Sequence, residues 1–184
     1  MKKTKLIFDT GYRLAMMSML SLFVFTGCSA FPNNASTSPL QQQAQTDSVM
    51  IGAVGDSIYN VITGAKKIKA EEIKMTNDTT QSTKSIVVDV KGNFIPLVQF
   101  VLSNPKIYSG NTAVYGQFMP CFKLTFIKKK EKCVLYFDFG LKKWNVCDDK
   151  GRVIKAFDLS TNDMLRIANM LFPNNDLFKK QMNK

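Results

Sequence analysis

Residues 118–158 constrain the fold more than any other part of the chain. Four runs, 118–127, 133–139, 143–147 and 152–158, carry apolar side chains on alternating positions. Turn formers separate them: Lys128-Lys129-Lys130-Glu131, then Gly140-Leu141-Lys142, then Asp148-Asp149-Lys150-Gly151. Short alternating runs joined by turns predict an antiparallel β-meander. Centring the first turn on 128–131 sets Phe126 opposite Cys133, Leu124 opposite Leu135 and Phe122 opposite Phe137. That register gathers every large apolar residue on one face, and a slip of one residue would turn them all to water. The next turns set Phe139 near Trp144, Phe137 near Val146, and Val146 near Val153. Trp144 is then a core residue rather than a ligand platform. Asp138, lying between Phe137 and Phe139, falls on the outward face as a lone carboxylate without catalytic prospects.

Antiparallel strands with one polar face need a cover on the other, and the rest of the chain supplies helices. Ile51, Val54, Ile58, Val61 and Ile62 recur at helical spacing over 47–62, and Gly64 ends that run. Residues 66–75 are read as a strand, 76–85 as a polar loop and 86–90 as a short strand. A buried helix is expected over 94–103, with Pro96 in its first turn and Pro105 past its end. The last helix is expected to start at Ser160 as N-cap, to bury Met164, Leu165, Ile167, Ala168 and Leu171, and to stop at Pro173. Residues 174–184 read as a polar, basic tail. The expected fold class is α+β: an antiparallel meander of four to five strands covered by helices, in one domain spanning 48–184.

The N-terminal part has another logic. Lys2, Lys3, Lys5 and Arg13 precede an apolar run over 14–25 that ends in Thr26-Gly27-Cys28. A run of twelve residues, ten of them apolar, is too short for a membrane span, which needs roughly 20, but it suits the core of an export signal. Phe25-Thr26-Gly27-Cys28 resembles the lipobox of bacterial lipoprotein precursors, with Phe25 in place of the usual Leu. The resemblance implies cleavage after residue 27 and lipid attachment at Cys28. Ser29, where Asp would hold such a protein at the inner membrane, implies the outer membrane, facing the periplasm. Residues 28–47, polar and rich in Gln and Ser, then serve as a flexible tether. Its nineteen residues after Cys28 have an r.m.s. reach of roughly 25 Å.

Removal of 1–27 leaves 157 residues and eight of the eleven net positive charges. The chain has no histidine. That excludes Ser-His and Cys-His nucleophile pairs and His-ligated metal sites. After Cys28 only Cys121, Cys133 and Cys147 remain, with no C-x-x-C spacing, so neither a redox pair nor a zinc knuckle is supported. The meander register puts Cys133 inside and separates Cys121 from Cys147 by a whole strand, too far for a disulfide. No catalytic residue, metal site or cofactor is expected.

The densest charge cluster is Lys128, Lys129, Lys130 and Lys132. It offers contact with anionic lipid or an acidic envelope protein, and lysines at a hairpin tip also keep that tip soluble. No aromatics interleave with them, so no nucleic-acid partner is expected. The expectation is a membrane-anchored, non-enzymatic binding or adaptor module of the bacterial envelope. The alternative is an inhibitor, immunity or exclusion protein there, and a hydrolase ranks below both.

Overall fold

A computed structural model describes residues 39–74, 85–110 and 116–183, with side chains placed from residue 43 onward. Residues 1–38, and with them the expected export signal and Cys28, lie outside the described residues, as does most of the 76–85 loop. From Thr37 onward the chain forms one compact unit.

Six antiparallel strands make one sheet: β1 Lys67–Glu72, β2 Ile86–Asp89, β3 Phe122–Lys128, β4 Glu131–Asp138, β5 Lys143–Cys147 and β6 Val153–Asp158, in the spatial order β2-β1-β3-β4-β5-β6. The meander therefore exists, and the two earlier strands extend the same sheet beyond it. Helices α1 Pro39–Val54, α2 Asp56–Gly64, α3 Ile95–Leu102, α4 Asp163–Leu171 and α5 Asp176–Met182 complete the described elements, with a 3-10 turn at Pro105–Tyr108. One sheet face carries Ile68, Phe122, Leu124, Phe126, Leu135, Phe137, Trp144 and Val146, all buried in the core with residues of all five helices. The alternate positions Lys69, Glu71, Lys123, Thr125, Tyr136 and Asn145 are exposed or half-buried. This is an α+β fold with one helix-covered face.

The first hairpin has the expected register, Phe122 on Phe137, Leu124 on Leu135 and Phe126 on Cys133. The second hairpin is displaced by two residues: Phe137 pairs with Trp144 and Leu135 with Val146. A shift of two keeps every side chain on its face, so the core is the same and only the neighbours change. Asp138 sits at the start of the longer turn that goes with this displacement. Its carboxylate accepts the Leu141 N–H at 2.9 Å, closing a four-residue turn. The third hairpin also departs from expectation, because Val146 pairs with Lys155 and Cys147 with Val153. Ile154 is the unpaired residue of that β-bulge, and Val153 is exposed rather than packed on Val146.

Three further corrections concern the helices. The helix expected over 47–62 starts at Pro39 and breaks at Gly55, whose φ of 86° belongs to the left-handed region. Pro39 is pre-set for the first helical turn, and the glutamines that looked like tether are adequate helix formers. Ten residues, 29–38, then separate Cys28 from the first helix. Ser160 does not cap α4; Asn162 stands there, and the Ser160 hydroxyl donates to Lys106 O at 2.6 Å. The expected polar tail folds into α5. The Asn175 side chain accepts the Phe178 N–H at 3.0 Å, and Phe178 is fully buried against Phe122, Phe139 and Phe172.

Candidate functional site

The pairings place one end of the sheet at the start of β1, the end of β2, the β3–β4 hairpin tip and the β5–β6 turn. Lysines collect there. Lys128 pairs with Glu131 across the tip, so Lys129 and Lys130 form a two-residue loop, with Lys129 at φ 56°. Lys132 sits across from Ile127, and Ile127 across from Lys67, which follows Lys66 at the entry to β1. Lys91 follows Val90, whose N–H bonds to Ile68 O. Of the lysines named from sequence, Lys128, Lys129, Lys130 and Lys132 thus join Lys66, Lys67 and Lys91. The last three lie 37 or more residues from the hairpin. Only pairing of β1 with both β2 and β3 unites them, and no local pattern could reveal it.

Lys128 differs from its neighbours. Its ammonium donates to Asn60 O at 3.0 Å, so it serves the C-terminal end of α2, where a cation meets the negative pole of the helix. Gly64 makes room, since a Cβ there would come within 2.8 Å of the Lys128 side chain. Gln99 of α3 completes this end. Its amide donates to Ile62 O, Thr63 O and Ala65 O at 2.8, 3.0 and 3.2 Å. These carbonyls have no partner inside the helix. Lys128 and Gln99 together lock α2 and α3 beneath the basic end. Lys67 makes a loose pair with Asp89, 3.7 Å apart with both side chains more than half exposed, which adds little. Lys66, Lys91, Lys129, Lys130 and Lys132 are exposed.

A cavity of about 470 Å³ opens between the hairpin tip, the β5–β6 turn and the first turn of α2. Lys130, Lys132, Glu131 and Asp149 stand on its walls, with Ile58 and Val61 from α2 and Cys133 and Cys147. Asp148, also on the wall, is already committed. Backbone N–H groups of Arg152 and Lys150 and the Arg152 side chain, at 2.7 Å, hold its carboxyl below the ordinary Asp value.

The three cysteines among the described residues, Cys121, Cys133 and Cys147, are free thiols. Burial pushes Cys133 up to about 12 and Cys121 up to about 11. Thiols so raised stay protonated near neutrality and make poor nucleophiles or metal ligands. Cys147 was expected on the outer face; it is buried at the end of β5, next to the bulge. Trp144 is fully buried, donates to Ile107 O at 3.0 Å and stacks on Phe137. Asp138 was expected to face outward but is 5% exposed, and it accepts Met119 N–H at 2.7 Å as well as Leu141 N–H. Its carboxylate ties two loops together.

Among the described residues no group of three potential ligands could hold a metal ion, and no helix is long and apolar enough to cross a membrane. Comparison with protein-family models, curated proteins and solved structures finds no match.

Proposed function

We propose that this chain is a lipid-anchored, non-enzymatic binding module of the bacterial envelope, held at Cys28 to the outer membrane on its periplasmic side, which meets anionic envelope components through the lysines at one end of its sheet. The observation that carries the contact reading is the gathering of Lys66, Lys67, Lys91, Lys129, Lys130 and Lys132 from separate parts of the chain onto one rim. Among the described residues the same strands bring two acids to it, Asp89 and Glu131, and the β5–β6 turn at that end adds Asp148 and Asp149. Each lysine near an anionic surface contributes about 1 kcal/mol. The anchor reading rests on the basic start, the short apolar run and Thr26-Gly27-Cys28. The absence of histidine and the raised thiol values both count against nucleophilic chemistry.

The test is membrane fractionation of a bacterium producing the full chain, with mass spectrometry of the N-terminal peptide. Cleavage before Cys28 and an acylated Cys28, both lost in Cys28→Ala, are the expected result. Palmitate labelling that persists in Cys28→Ala would defeat the anchor. Capture of a toxin or conjugation component by the native chain would instead support the inhibitor or exclusion reading.

A further inference from the structure

Helix α3 uses one side for the core and leaves the other without cover among the described residues. Ile95, Val98 and Leu102 are buried. Leu97 and Phe100 stand three residues apart, hence on one helix face, and both are exposed. Phe100, at 73%, is the most exposed of the large apolar residues described. A scattered apolar side chain needs no explanation; this pair has a particular setting. Gln99 between them grips the last carbonyls of α2, directly before Lys66 and Lys67. Lys91 comes four residues before the start of α3. An apolar helix face bordered by lysines is the arrangement of an interfacial membrane contact: apolar groups enter the headgroup boundary while cations meet the phosphates.

We infer that the Leu97–Phe100 face of α3 enters the surface of an anionic bilayer, with Lys66, Lys67, Lys91, Lys129 and Lys130 binding lipid phosphates. The folded domain thus docks on the membrane directly. This deepens the envelope-anchor reading and rests on it for the choice of a lipid surface. Chain length supports the same occupant. Ten residues between Cys28 and α1 reach at most about 35 Å, so an anchored domain meets the bilayer at high effective concentration and a weak second contact suffices. The contact is a convex helix face rather than a groove, which fits a fluid boundary better than the surface of an acidic protein.

The test uses the full chain carrying Phe100→Trp. Trp144 is fully buried and supplies a constant background. On vesicles containing phosphatidylglycerol the introduced indole shifts to the blue and is quenched by brominated lipid. On pure phosphatidylcholine it does neither. Each of Lys66→Gln, Lys67→Gln, Lys129→Gln and Lys130→Gln weakens the indole response about fivefold in vesicle concentration, the equivalent of about 1 kcal/mol. An indole that stays in water on anionic vesicles overturns the docking, as does an equal response on neutral ones. So does binding of an acidic protein that these lysine changes abolish while the indole ignores vesicles. An acylated Cys28 with a silent indole removes the docking alone. An unmodified Cys28 with a responsive indole removes the anchor and keeps the docking.

Discussion

The two ends of the sheet treat their charges in opposite ways. At the end formed by Glu71, Glu72, Asp138, Lys143 and Asp158, charges are spent inside the protein. Glu71 pairs with Lys123 at 2.8 Å, Glu72 with Lys74 at 3.5 Å, and Lys143 with Asp158. Asp138 is occupied by two backbone N–H groups. At the opposite end Lys128 is bound inward, Asp148 is held by Arg152 and two backbone N–H groups, and Lys67 pairs loosely with Asp89, while Lys66, Lys91, Lys129, Lys130 and Lys132 face solvent. Charges that hold loops together cannot also receive a partner, whereas exposed ones add little to stability and remain free to steer or bind. The contrast places the charges left open to a partner at the lysine end.

Mutations can break or sharpen this contrast. The largest expected effect is at the closed end: Asp138→Ala leaves the N–H groups of Met119 and Leu141 without their carboxylate and costs about 3 kcal/mol in chemical denaturation. A loss below about 1 kcal/mol would show that the closed end does not depend on its charges. Next comes the brace beneath the open end. Gln99→Ala frees the carbonyls of Ile62 and Thr63 in α2 and of Ala65 just past it and costs about 1–2 kcal/mol, with faster hydrogen exchange over Asp56–Gly64. Acidification should act on Glu71. Burial pushes its carboxyl up, but hydrogen bonds from Lys123 and Ser85, with the Lys123 charge, outweigh this and hold it below the ordinary Glu value. A lowered carboxylate contributes stability above the unfolded-state value, and that contribution is lost as pH falls through the folded one. Denaturation midpoints should therefore decline through that window, and Glu71→Gln should flatten the decline. Smallest of all, Lys66→Gln with Lys130→Gln should change stability by less than about 0.5 kcal/mol. A larger loss would mean that the open end, too, is structural.

Much of the fold was legible because alternation leaves few choices. Phe122, Leu124, Phe126, Leu135 and Phe137 had to share a face, and the first hairpin register followed. The second and third registers failed at their turns. The carboxylate of Asp138 reaches its own turn, and Ile154 is inserted as a bulge; neither appears in an apolar pattern. Helix α5 was missed because one buried Phe178 among polar neighbours makes no periodic signal, although the Asn175 cap after Pro173 was there to find. The lysines at 128–132 stood out by density. Lys66, Lys67 and Lys91 did not, since their membership depends on strand pairing, and the apolar density of 94–103 points to a wholly buried helix although Phe100 is exposed.

From residue order alone came the export-like start with Cys28, the exclusion of histidine chemistry, the α+β class and the face each meander side chain takes. These depend on local composition and on a period of two, which neighbouring residues carry among themselves. Tertiary structure decided which lysines share an end, which of them is tied to a helix carbonyl, and that Phe100 meets water while Phe178 does not. Those outcomes depend on contacts between segments tens of residues apart, which packing alone selects.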